Sequence, residues 1–109
     1  MSGVPAEMSE PRIAVPNRRN SEVIGFSHDG LAYQGQVSWL ADGRPIEIFL
    51  DAGKAGTALQ AIARDSAVAV SLALQHGASL AVLRGAMTRG DGDLAAGPLG
   101  RMLDLVEGT

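Results

Sequence analysis

The stretch from residue 42 to residue 77 constrains the fold of this chain more than any other. Asp42-Gly43 is a pair that tolerates positive φ in a tight hairpin turn. The strand that follows, Arg44 to Leu50, alternates Ile46, Ile48 and Leu50 with Glu47, Phe49 and Asp51. Pro45 stands at its start, where a missing amide donor is tolerated. Gly53-Lys54-Ala55-Gly56-Thr57 then forms an elbow into a long helix of small residues, predicted from about Ala58 to His76. Thr57-Ala58-Leu59-Gln60 fits a capping box, the Thr57 hydroxyl accepting from the third helical amide and Gln60 reaching back to the Thr57 amide. Gly77 is the expected left-handed stop.

Two further strands precede this unit. Ser21 to Phe26 is a β-type run that stops at the turn formers Ser27-His28-Asp29-Gly30. In Leu31 to Leu40, Tyr33, Val37 and Trp39 share one face, and Gln34, Gln36 and Ser38 the other. The expected class is α+β: a three-stranded antiparallel meander, a long central helix and two shorter C-terminal helices. Residues 1–16, punctuated by Pro5, Pro11 and Pro16, read as a flexible N-terminal arm, and residues 17–109 as a single domain.

The central helix is apolar almost all round. Leu59, Ile62, Ala63, Ser66, Val70, Ala73 and Leu74 form one stripe, yet Ala67, Val68, Ala69 and Leu72 are also apolar. Gln60, Arg64, Ser71 and Gln75, with Asp65 beside them, read as its solvated ribbon, the alternative for Arg64 and Asp65 being a polar spot at an interface. Such a helix is covered on more than one side. Ser79 can cap a second helix through about Thr88, packed by Leu80, Val82, Leu83 and Met87. Arg89-Gly90-Asp91-Gly92-Asp93 reads as a flexible connection, since it lacks the closing Glu and ligand spacing of a calcium loop. Pro98 opens a last helix with Leu99, Met102, Leu103 and Val106 on one face. A symmetric dimer would complete the burial, with Val68, Leu72, Leu99, Met102 and Leu103 at the contact.

Composition removes several classes of function. The chain has no cysteine, which excludes a disulfide framework, a thiolate metal site and a cysteine nucleophile. A net charge of −3, with eight Arg and one Lys, is not the footprint of a duplex-binding protein. No apolar run approaches the ~20 residues needed to span a bilayer, and the first twenty residues lack a signal-peptide core. The expected compartment is the cytoplasm.

The residues offer no catalytic constellation. No serine lies in a Gly-x-Ser-x-Gly elbow. His28 and His76 are isolated, so no metal site is expected. The elbow is the best anion candidate: Lys54, Gly56 and Thr57 set a cation and glycines beside unsatisfied helix amides, with Arg18 or Arg19 to close over a phosphate. Its order is not that of a Walker A loop, and a tight turn with a Thr cap explains every residue but Lys54.

Asn17-Arg18-Arg19, Asp42-Gly43-x-Pro45-x-Glu47-Ile48-Phe49, Lys54-x-Gly56-Thr57 and Ala67-x-Ala69-x-Ser71-Leu72-Ala73-Leu74-Gln75-x-Gly77 together resemble the TSCPD domain. That module occurs in the C-terminal region of adenosylcobalamin-dependent ribonucleotide reductases and as small free-standing proteins. The match covers residues 17 to about 84, but the cysteine motif that names the family is absent, and with it the reductase's radical and reducing thiols. The resemblance implies a non-catalytic accessory or regulatory module of nucleotide metabolism, without a cofactor of its own. Its expected partners are a second copy of the chain and a ribonucleotide reductase or other protein. The rival reading is a small nucleotide- or phosphate-binding protein using residues 53–57.

Overall fold

The computed structural model describes residues 11–53 and 56–108. Three strands, β1 (Asn20–His28), β2 (Leu31–Trp39) and β3 (Pro45–Ala52), form one antiparallel sheet in the order β1-β2-β3. Three helices follow: α1 (Ala58–Gln75), α2 (Leu80–Ala86) and α3 (Pro98–Glu107). The expected α+β meander with a long helix and two short ones is what forms.

Local chemistry explains the punctuation. Asp29 and Gly30 both have positive φ, 50° and 77°, and close β1 onto β2 in the two-residue turn that matches strand twist. At the next hairpin, Asp42 accepts from the Arg44 amide at 3.0 Å and from the Arg44 guanidinium at 2.9 Å. The Asp42 carboxyl is held below its ordinary value, first by the backbone hydrogen bond and then by the side-chain one. Gly77, at φ 102°, ends α1: its amide donates to the Leu74 carbonyl and the Ala78 amide to the Ala73 carbonyl. These two bonds satisfy carbonyls that a helix end leaves open. Ser79 caps α2 by accepting from the Val82 amide at 3.1 Å.

One face of the sheet carries the core. Tyr33 and Val37 from β2 and Ile46, Ile48, Leu50 and Ala52 from β3 are buried, as alternation predicts. From the helices come Ala63, Ala67, Val70, Leu74, Met102, Leu103 and Val106. α1 lies against β3, α3 reaches β2 and α1, and α2 packs on α3. Gly35 is where α3 meets the sheet most closely, since a side chain there would collide with the end of Met102.

Four expectations need correction. Met102 and Leu103 are wholly buried within the single chain, so they cannot form a contact between chains. Ile62, placed on the core stripe, is 65% exposed, because the helix turns its smallest residues, Ala63 and Ala67, to the sheet. Ser38 lies on the face opposite Val37, as expected, but is fully buried there rather than wet: its hydroxyl meets that of Ser21 at 2.9 Å, and Glu47 lies opposite it in the register. The connection at residues 89–93 is ordered by a one-turn 3₁₀ helix, Asp91–Asp93, and an Arg89–Ala95 bridge.

Candidate functional site

The sheet leaves β3 as an edge, and α1 closes it. The Ile48 amide donates to Ser71 Oγ at 2.8 Å, and Ser71 Oγ donates to the Ile48 carbonyl at 2.8 Å. Both groups of Ile48 therefore point away from β2, as alternation in an antiparallel ladder requires. One turn on, Gln75 Nε2 donates to the Ile46 carbonyl at 3.2 Å. Ser71 and Gln75, read as solvated, are 7% and 2% exposed because they replace the missing neighbouring strand. The Arg12 side chain donates to Gln75 Oε1 and the Ile13 amide to the Gln75 carbonyl, which ties the N-terminal segment to the end of α1.

Among the described residues nothing covers the opposite face of α1. Ala61, Arg64, Asp65 and Ala69 are exposed there, as are Ile62, Val68 at 50% and Leu72 at 40%. Val68 and Arg64 also line a groove of about 360 Å³ that crosses the edge of β3 to Gln34, Gln36, Phe49 and Asp51. Arg64 and Asp65 are exposed in the single chain, which fits both a wet ribbon and a polar spot at an interface. Leu99 packs on the core from α3, so of the five expected contact residues only Val68 and Leu72 are presented to solvent.

At the elbow, Thr57 Oγ1 accepts from the Gln60 amide at 3.1 Å, as the capping box requires. Gln60 Oε1 reaches one residue further back than expected, to the Gly56 amide at 2.8 Å, and its Nε2 donates to Asp51 at 2.9 Å. Two donors that an anion would need are thus engaged, with a carboxylate next to them. Lys54 lies outside the described residues. Arg18 and Arg19 stand beside the start of β1, which pairs with the Trp39 end of β2, whereas the elbow follows the far end of β3. A β3 of eight residues puts roughly 20 Å or more between them, so the structure does not bring the two halves of that site together.

Arg19 braces its own end of the sheet, donating to Glu47 at 3.2 Å and to the Pro16 carbonyl at 2.8 Å. His28 bonds the Ala96 carbonyl at 3.0 Å, linking β1 to the segment before α3, and His76 is the C-cap of α1. Among the described residues no group of three His, Cys, Asp or Glu side chains could hold a metal ion, and no helix is long and apolar enough to cross a membrane.

One charged cluster escaped the sequence reading. Asp104 accepts from Arg89 at 2.6 and 2.9 Å and from Arg84 at 3.0 Å. These bonds, Arg89 first, hold its carboxyl down to about 2 against the opposing effect of burial. The signal was present as two arginines near α2 and one acid inside the apolar pattern of α3. Only the docking of α2 on α3 makes them neighbours.

No protein-family model and no solved structure matches the chain. A vitamin B12-dependent ribonucleotide reductase from Agrobacterium fabrum (strain C58 / ATCC 33970) is 36% identical over 73 residues. The aligned stretch is 67% of this chain and 6% of the reductase. Most of the chain is thus similar to a small region of a ribonucleotide reductase.

Proposed function

We propose that this chain is a non-catalytic accessory or regulatory module, related to the C-terminal TSCPD domain of adenosylcobalamin-dependent reductases, which acts by protein association. The observation that carries the reading is the outward face of α1, where Ile62, Val68 and Leu72 stand exposed on a regular helix. An unpartnered apolar helix face is a surface for another protein. The reductase-like stretch supports the family side of the proposal. The absence of cysteine supports the non-catalytic side, because ribonucleotide reduction needs a thiyl radical and a reducing thiol pair.

The first partner is a second copy. Arg64 and Asp65 are adjacent, of opposite sign and without an ion pair among the described residues, so they are available to pair across a twofold contact between α1 helices. At 18 residues α1 is about 27 Å long, which places such a contact toward the small end of stable interfaces. Light scattering behind size exclusion should give a mass of twice 11.2 kDa that declines on dilution. A constant monomer that also fails to bind a purified B12-dependent reductase would sink the proposal. The phosphate reading of residues 53–57 gains no support, since Gln60 and Thr57 already occupy the donors there.

A further inference from the structure

The end of the sheet remote from the elbow presents a half-buried aromatic ring that packs in part on the core, and an exposed cation that the fold does not use. Asn17, Arg18, Asn20, Trp39 and Ala41 line a groove of about 690 Å³. On the other side of Trp39, a second groove of about 380 Å³ runs past Glu22 and Gly43. Trp39 therefore borders both grooves with the part of its side chain that the core does not cover. Trp39 lies where the register shifts: Ser38 opposes Glu47 but Trp39 opposes Pro45, which leaves Ile46 as the extra residue on β3. Among the described residues the ring pairing is Phe26 on Tyr33, at 5.5 Å, and nothing stacks on Trp39.

The two adjacent arginines have divided their work. Arg19 is spent on Glu47 and the Pro16 carbonyl, which holds the bend in the chain at residues 17–18. Arg18, carried on that bend, is exposed and makes no hydrogen bond or ion pair among the described residues. A guanidinium matches the geometry of phosphate oxygens, and an indole face accepts any planar base. The Asn17 and Asn20 amides add donors and acceptors of the kind that read base edges. A simple anion would use Arg18 alone and an apolar ring Trp39 alone. A ligand that joins an oxyanion to a planar ring uses both.

We propose that this groove binds a mononucleotide, with its phosphate on Arg18 and its base against Trp39. The site is separate from the outward face of α1 and does not depend on association.

Trp39 is the one tryptophan of the chain, so its fluorescence reports on the site directly. Titration with AMP should quench it saturably, and adenosine or inorganic phosphate alone should bind at least about tenfold more weakly. Arg18→Ala, which breaks no bond of the fold, should keep the native circular dichroism and weaken AMP about tenfold or more. Trp39→Phe, followed by calorimetry, should bring AMP and phosphate closer in affinity. Leu72→Glu should bind AMP as the parent chain does, which separates this site from the association surface. Absence of saturable quenching at millimolar AMP overturns the proposal. So does equal affinity for AMP and phosphate, or unchanged AMP binding by Arg18→Ala.

Discussion

Ser71 makes two buried hydrogen bonds with one side-chain oxygen, both to Ile48, at the point where β3 has no neighbouring strand. Ser71→Ala leaves an amide and a carbonyl unpaired in a buried site, and each such group costs about 1–3 kcal/mol. We expect a loss of about 2–4 kcal/mol in urea unfolding, with the midpoint falling and the slope unchanged. An effect below about 0.5 kcal/mol would mean that Ile48 finds other partners. Gly35 is constrained by a different force. A methyl group there runs into the fully buried end of Met102, so Gly35→Ala should cost about 1–3 kcal/mol by overpacking. Met102→Ala in the same chain should relieve part of that cost, a coupling that a double-mutant cycle measures. Equal penalties in both backgrounds would contradict the contact.

Of the helices α1, α2 and α3, α2 alone has no fully buried residue, although Leu80 and Leu83 pack in part on the core. Its attachment to α3 is reinforced by Arg84 and Arg89 meeting at Asp104. The carboxyl of Asp104 is depressed in the folded protein, to about 2 from an unfolded value near 3.8. A depressed acid stabilises the fold above its unfolded value, and that contribution is lost as pH falls through the folded one. The window is therefore about pH 4 down to about pH 2. Asp104→Asn should lower stability at neutral pH by about 1–2 kcal/mol, allowing for solvent around the cluster. It should also flatten the stability profile in that window, so that mutant and parent converge near pH 2 in acid unfolding followed by circular dichroism. Parallel profiles across the whole range would show that another group governs acid stability.

At the scale of the whole molecule, the fold buries a core on one side of the sheet, and among the described residues α1 is covered on one side only. Association through that open side is testable because the candidate residues are surface ones in the single chain. Leu72 is 40% exposed, so Leu72→Glu should leave the far-ultraviolet spectrum and the melting temperature of the monomer nearly unchanged. The same change buries a carboxylate in an α1–α1 contact, which should weaken dimerisation at least about tenfold in analytical ultracentrifugation. Unfolding of the variant would mean that Leu72 belongs to the core. An unaltered dimer would place the contact elsewhere.

Much of the architecture was readable along the chain because it rests on local chemistry. Asp29-Gly30 and Asp42-Gly43 specify tight hairpins through the conformations their backbones tolerate, and Ile46, Ile48 and Leu50 specify the buried face of β3 by period-two spacing. Thr57, Gly77 and Ser79 mark helix ends by capping, an interaction that spans only a few residues. The candidate sites were less legible. Ser71 and Gln75 looked solvated because periodicity knows a residue's polarity and not what its helix lies beside. Only the placement of α1 along an unpaired strand edge turns those two polar side chains inward. Met102 and Leu103 looked available for a partner for the same reason, until the docking of α3 against Gly35 buried them. The separation of Arg18 and Arg19 from the elbow follows from strand register, and the Asp104 cluster from helix docking. Both join residues far apart in the chain, where no local pattern carries the information.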